Sequence, residues 1–178
     1  MKIAFTTLGC KLNYAETSTY ERGFVSAGWE VVPWTAQADV YLINTCAVTE
    51  TAEKKSRNLI RRAHKTNPGA HIVVTGCYAE LRKDQLLKID GVWKVFGATE
   101  KNHILPVVEE GVVSETFAAP GNEGEGPVGE ADGRDEAKRR VSETIPSATK
   151  GVFGAYSSGE RTRSFLKVQD GCDNFCAY

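Results

Sequence analysis

The chain has 178 residues, enough for one well-packed core and a smaller second segment. Its hydrophobic content of 41% and charged content of 25% are typical of globular proteins, and no apolar run reaches the roughly 20 residues of a membrane-spanning helix. The net charge of −1 argues against nucleic-acid binding driven by the overall charge of this chain alone.

The N-terminal residues and the cysteine count indicate where the chain works. Residues 1–5 (MKIAF) pass directly into a strand pattern, so we expect no signal peptide and a cytoplasmic protein. The chain contains five cysteines, an odd number. Without a secretory signal, a disulfide framework is a poor explanation for them, and metal or redox chemistry is favoured.

Short apolar runs alternate with helical patterns from the N-terminus to about residue 110. Asn13 is predicted to cap the first helix, and Gly28 follows its end. Alternating strands and helices with short loops indicate an open parallel sheet of about five strands, with helices on both faces. The predicted strands cover residues 3–7, 29–32, 40–43, 71–75 and 92–96, and the predicted helices 13–28, 49–64, 80–88 and 99–110.

Three cysteines follow the predicted strands directly. Cys10, Cys46 and Cys77 come after the first, third and fourth strands, and Gly9 and Gly76 each precede a cysteine. In a parallel sheet the carboxyl ends of all strands lie along one edge, which is where ligands bind. We therefore expect the three thiols to approach one another at that edge, with the glycines letting the backbone come close to a ligand.

Three thiolates at one edge suit a soft metal centre, and an iron–sulfur cluster held by three cysteines keeps one iron open to another ligand. Two other interpretations stay open from the residues alone. The cysteines can be buried structural residues in a non-catalytic docking module. They can also hold zinc, although structural zinc sites favour C-x-x-C pairs, which this sequence lacks.

The C-terminal part of the chain has a different character. Residues 120–133 are rich in glycine, proline and acidic residues, which predicts a linker. Residues 164–168 alternate polar and apolar side chains like a strand. The chain then reaches Cys172 and Cys176, spaced as C-x-x-x-C. We predict a domain at 1–112, a linker or mobile loop at 113–160, and the start of a second domain at 161–178.

Several short blocks together resemble the methylthiotransferase family, which belongs to the radical S-adenosylmethionine enzymes. The blocks are residues 7–13 (TLGCKLN), 44–49 (NTCAVT), 75–78 (TGCY), 161–163 (RTR) and 167–172 (KVQDGC). The first block and residues 54–57 (KKSR) look most like the branch that acts on threonylcarbamoyladenosine in tRNA. The isopentenyladenosine and ribosomal-protein branches are the alternatives.

The resemblance implies two iron–sulfur clusters. Cys10, Cys46 and Cys77 match the ligands of an auxiliary 4Fe–4S cluster that carries or donates sulfur. Cys172 and Cys176 match two of the three ligands of the radical cluster, which cleaves S-adenosylmethionine to a radical that removes hydrogen from the adenine ring. A second molecule of S-adenosylmethionine supplies the methyl group.

The resemblance also implies that the second domain is incomplete. The third radical-cluster cysteine, the barrel beyond its first strand and the RNA-binding domain of the family are absent from this sequence. We therefore expect the chain to be inactive alone and to contain no catalytic residue of its own. The intact protein would bind tRNA, take electrons from a donor such as flavodoxin or ferredoxin, use a sulfur donor that the sequence does not identify, and need no membrane.

A basic run occupies the helix predicted after Cys46. Such a run is usually a solvated face, and contact with tRNA phosphates is the alternative. Asn13 and Asn44 lie near cysteines, where they could donate hydrogen bonds to cluster sulfur or serve as caps and strand ends. The basic residues are Lys54, Lys55, Arg57, Arg61, Arg62 and Lys65.

Overall fold

The computed structural model describes residues 1–47, 49–117, 154–157 and 165–167, and its N-terminal part forms a five-stranded parallel sheet. The order across the sheet is β2-β1-β3-β4-β5, with every neighbouring pair parallel. This confirms the predicted α/β sheet. The strands are β1 (Lys2–Thr7), β2 (Glu30–Val32), β3 (Val40–Thr45), β4 (His71–Gly76) and β5 (Val92–Val95).

Helices follow the strands, and three of them differ from the prediction. The helix predicted at 99–110 begins as a 3₁₀ helix and continues as an α-helix to Phe117. Cys10, and not Asn13, is the N-cap of α1, so the predicted cap is wrong and Asn13 lies inside the helix. The single helix predicted at 80–88 is also wrong, because the backbone of Arg82 (φ −137°, ψ 38°) leaves the helical region and separates α3 from α4. The helices are α1 (Lys11–Ser26), α2 (Glu50–Thr66), α3 (Cys77–Leu81), α4 (Lys83–Leu87), a 3₁₀ helix (Ala98–His103) and α5 (Ile104–Phe117).

The central strand β3 is buried on both faces of the sheet. Val40 and Leu42 pack into the core beneath α1 and α5, whereas Tyr41 and Ile43 pack into the core beneath α2, α3 and α4. All four side chains have no exposed surface. Because successive side chains of a strand point to opposite faces, a continuous apolar run is the pattern that a doubly covered strand requires.

The strand order places a topological switch point between β1 and β3. β1 leads into α1 on one face, and β3 leads into α2 on the other face. The order 2-1-3-4-5 is the flavodoxin-like doubly wound arrangement, in which a crevice opens at the carboxyl ends of the strands beside the switch. The fold therefore provides a ligand-binding position where β1 and β3 end.

Two short strands from the C-terminal part of the chain pack on α1. β6 (Tyr156–Ser157) and β7 (Phe165–Leu166) form an antiparallel pair. β7 lies inside the strand predicted at 164–168, while the barrel that this strand would begin lies outside the described residues. The division at 112 and 160 stays a prediction. No helix in the described part of the chain is both long and apolar enough to cross a bilayer.

Candidate metal centre

The structure places Cys10, Cys46 and Cys77 at the carboxyl ends of three adjacent strands. Thr45 of β3 is paired with Gly76 of β4, so Cys46 and Cys77 each follow one member of a paired position. β1 lies on the other side of β3, and Cys10 follows it as the N-cap of α1. Neighbouring strands are about 4.8 Å apart, so the three cysteine positions share one short section of the sheet edge.

Two glycines bring the backbone close to this edge. Gly9 has φ +118°, and a Cβ there would lie 2.9 Å from Asn13 Nδ2 and 3.0 Å from Cys46 Cβ. Gly76 has φ +98°, and a Cβ there would collide with the backbone oxygen of Thr45 and lie 2.5 Å from Asn44 Oδ1. Both positions therefore require glycine, for space and for backbone conformation.

The side-chain amides of Asn13 and Asn44 connect these loops. Asn13 Nδ2 donates to the carbonyl oxygens of Leu8 at 2.8 Å and Thr45 at 3.0 Å. Asn44 Nδ2 donates to the carbonyl oxygen of Asn13 at 3.0 Å. The two amides thus fix the β1–α1 loop against the end of β3. The Asn44 amide also donates to the side chains of Glu16 at 3.3 Å and Thr17 at 3.4 Å.

The three thiols have different exposure but influence one another. Cys46 is buried, with 9% of its surface exposed, while Cys10 and Cys77 reach solvent. Partial desolvation is the main cause that raises the pKa of the Cys77 thiol, and the negative potential of Cys46 raises it further. Lys101 opposes this shift, and smaller contributions from Cys10 and Glu16 add to it. The thiols therefore occupy one electrostatic environment.

The donor set fits a soft metal centre in its chemistry, since it consists of three thiols beside tight glycine turns. Within the described ranges, no three His, Cys, Asp or Glu side chains are arranged to hold a metal ion. The Cys10 thiol lies 3.7 Å from Asn13 Oδ1. Cys172 and Cys176 lie outside the described residues.

A buried ion triad lies behind the cysteine edge, and sequence analysis missed it. Glu16 Oε1 accepts hydrogen bonds from Lys101 Nζ and Lys167 Nζ, both at 2.9 Å. The glutamate side chain is only 1% exposed. Its spacing from Asn13 and Tyr20 on the inner face of α1 is the one sequence feature that could have marked Glu16 as buried.

The basic run on α2 is largely exposed. Arg57 is the exception, because its guanidinium donates to the hydroxyl of Tyr78 at 2.7 Å and approaches Glu53 at 3.5 Å. This contact connects α2 to the residue that follows Cys77. The other cations of the run are exposed: Lys54, Lys55, Arg61, Arg62 and Lys65.

The part of the sequence that forms the parallel sheet matches a known family. Residues 2–97, more than half of the chain, match the model of "Uncharacterized protein family UPF0004". The chain belongs to this family.

Curated relatives extend the match beyond the sheet. The chain is 36% identical over 178 residues to the threonylcarbamoyladenosine tRNA methylthiotransferase MtaB of Aquifex aeolicus, covering all of the chain and 38% of that relative. It is 36% identical over 176 residues to MtaB of Bacillus subtilis, covering 99% and 35%. A tRNA-2-methylthio-N(6)-dimethylallyladenosine synthase of Treponema pallidum is 26% identical over 184 residues, covering 100% and 37%. The chain thus spans about a third of the length of these relatives.

Proposed function

We propose that this chain is the N-terminal, cluster-binding part of a tRNA methylthiotransferase. The placement of Cys10, Cys46 and Cys77 at the carboxyl ends of three adjacent strands carries the proposal. The relatives that match across nearly the whole chain are named as methylthiotransferases, which supports the same reaction class.

Cys10, Cys46 and Cys77 would hold an auxiliary 4Fe–4S cluster through their thiolates. When bound, this cluster supplies the sulfur for the methylthio group. Gly9 and Gly76 keep the loops that carry Cys10 and Cys77 packed against the end of β3, because neither position has room for a side chain.

The C-terminal cysteines would serve a second cluster. Cys172 and Cys176 would contribute two ligands to the radical cluster of the intact protein, which also binds S-adenosylmethionine. The intact protein would work in the cytoplasm with an electron donor such as flavodoxin or ferredoxin. The chain by itself would be inactive.

The proposed substrate is threonylcarbamoyl-modified adenosine in tRNA, with the methylthio group added to the adenine ring. Sequence identity favours this substrate. The chain is 36% identical to the MtaB relatives of Aquifex aeolicus and Bacillus subtilis and 26% identical to the dimethylallyladenosine synthase. Two alternative functions can be tested against this one: a docking module with structural cysteines, and a zinc-stabilised binding domain.

Anaerobic reconstitution with iron and sulfide, followed by iron, sulfide and zinc analysis, separates these functions. The proposal predicts about four irons and about four sulfides per chain at the auxiliary site, with a broad visible absorption band. One zinc without sulfide would favour the zinc-stabilised domain. A folded chain that takes up neither metal would favour the docking module.

A test of the proposed substrate requires the intact protein. With tRNA carrying threonylcarbamoyladenosine, mass spectrometry of the digested RNA should show the methylthio product. The same assay with isopentenyladenosine-containing tRNA is the control for substrate choice. Product from the second tRNA only would overturn the substrate while leaving the reaction class in place.

A further inference from the structure

The ion triad of Glu16, Lys101 and Lys167 joins three elements that are distant in sequence. Lys101 lies 85 residues and Lys167 lies 151 residues from Glu16. The Lys167 side chain has no exposed surface, and the Lys101 side chain is 10% exposed. A buried cation is stable only when it is paired and hydrogen-bonded, so the contact with Glu16 helps to hold Lys167 in its buried position.

The same helix holds the rest of the C-terminal pair of strands through polar contacts. Arg22 donates to the carbonyl oxygen of Tyr156 at 2.7 Å, and its guanidinium carbon lies 3.8 Å from the centre of the Tyr156 ring. The amide of Tyr156 donates to Thr19 Oγ1 at 3.1 Å. Lys11 Nζ lies 5.3 Å from the ring centre of Phe165. α1 is therefore a platform for β6 and β7.

This platform begins beside one group of cysteines and holds a lysine that precedes the other group in sequence. α1 begins immediately after Cys10, its N-cap. Lys167, held by Glu16 of the same helix, precedes Cys172 by five positions in the sequence. Nothing else in the described residues ties the C-terminal segment to the cysteine edge by a buried ion pair.

We propose that Glu16, Lys101 and Lys167 form an electrostatic latch that holds the C-terminal pair of strands, β6 and β7, on α1, the helix that begins after Cys10. This inference depends on the proposed function, in which the latch serves to bring the two groups of cysteines near each other. Glu16, Lys101 and Lys167 are positioning residues that touch no reacting atom.

The charge balance explains how one lysine can act as the latch. Glu16 and Lys101 alone form a neutral pair, so they remain matched if Lys167 leaves. Seating of the C-terminal strands brings Lys167 to Glu16 as a second cation. Buried ion pairs add little stability compared with apolar packing, and their better-supported use is to specify one arrangement.

The test compares Lys167→Glu with the charge-exchanged double variant Glu16→Lys/Lys167→Glu in the 178-residue chain. The single variant places two carboxylates together, whereas the double variant restores one anion between two cations. Lys83→Glu is the matched control, because Lys83 forms an exposed pair with Glu100.

Hydrogen–deuterium exchange measured by mass spectrometry is the first readout. Exchange in peptides covering 154–157 and 165–167 should rise at least about tenfold in Lys167→Glu, because repulsion releases the strands. It should return close to the wild-type rate in the double variant and stay unchanged in Lys83→Glu. Equal exchange in wild type and Lys167→Glu would overturn the latch. A rise spread evenly over the whole sheet would also overturn it, since the triad would then stabilise the core generally.

The second readout is the proximity of the thiols, which is not determined by the general stability of the fold. Diamide oxidises pairs of thiols in the metal-free chain to disulfides, and peptide mapping counts those joining Cys172 or Cys176 to Cys10 or Cys77. These cross-group disulfides should fall at least about fivefold in Lys167→Glu and recover in the double variant, because the latch sets their effective concentration. Equal yields in all variants would contradict the latch. Neither readout needs bound iron, so the latch and the proposed cluster can fail separately.

Discussion

The two ends of the central sheet use polar residues differently. At the carboxyl end, the amides of Asn13 and Asn44 and the buried Glu16 join the loops through hydrogen bonds with backbone and lysine partners. At the amino end, a groove of about 570 Å³ is lined by charged side chains that point toward water. Its lining residues are Arg61, His64, Lys65, Pro68, Lys88, Ile89 and Asp90.

The two ends of the sheet should therefore respond differently to substitution. Arg61, Lys65 and Lys88 are exposed and form no ion pair within the described part of the chain. Surface charges of this kind can change with little effect on folding. The carboxyl end is interlocked, so a single change there should alter metal binding or stability.

The largest expected effect is the loss of cluster binding in Cys46→Ala. This variant removes the buried central thiol of the proposed ligand set, so iron bound at the auxiliary site should fall by more than about 80%. Iron and sulfide analysis after reconstitution measures this. Lys88→Gln at the amino end is the control and should bind iron like wild type. Equal iron in wild type and Cys46→Ala would break the distinction between the two ends.

The next effect concerns backbone space at the carboxyl end. Gly76→Ala should destabilise the fold by more than about 2 kcal/mol, because φ is positive and the added Cβ meets Thr45 backbone and Asn44. Chemical denaturation of the metal-free chain gives the value. Gly28→Ala is the matched control: its φ is +87° but no atom lies within 4 Å of the added Cβ, so only backbone strain of about 1–2 kcal/mol remains. Equal losses would mean that the close approach at Gly76 has no cost.

A moderate effect is expected from the amide that links β1 to β3. Asn13→Ala removes two hydrogen bonds and leaves the carbonyl oxygens of Leu8 and Thr45 without that donor, which should cost about 1–3 kcal/mol. Asn67→Ala is the comparison. It removes a part-buried hydrogen bond to the Ala38 carbonyl oxygen and an exposed one from the Gly69 amide, and it should cost less because neither bond is fully buried. Denaturant midpoints of both variants check the order, and a larger loss for Asn67→Ala would contradict it.

The smallest effect belongs to an exposed ion pair. Lys83 and the Gly97 amide hydrogen-bond the Glu100 carboxylate and lower its pKa. A lowered folded-state pKa stabilises the protein above the ordinary glutamate pKa of about 4.3, and this stabilisation disappears as the pH falls through the lower folded value. Because both side chains are more than two-fifths exposed, Lys83→Met should cost less than about 1 kcal/mol at pH 7.

The pH dependence of unfolding supplies the check on this pair. The stability difference between wild type and Lys83→Met should shrink as the pH is lowered below about 4. A difference that grows at low pH would contradict the assigned direction of the shift.

The sequence predicted the sheet well because its information is local and periodic. The apolar run 40–43 indicated a strand covered on both faces, and the structure has it. The break at Arg82 was missed because no glycine or proline marks it. The triad was missed for a different reason: Glu16 meets lysines 85 and 151 residues away, and such pairs leave no pattern in a local window. Chain order placed the cysteine positions together, but it could not give the orientation of the thiols.

The most direct test of the central claim is cluster reconstitution in the Cys172→Ala/Cys176→Ala variant, followed by iron and sulfide analysis and absorption spectroscopy. The account predicts that this variant still binds about four irons and about four sulfides, because Cys10, Cys46 and Cys77 hold the auxiliary cluster. Complete loss of iron from this variant, with iron retained by Cys10→Ala/Cys46→Ala/Cys77→Ala, would contradict it.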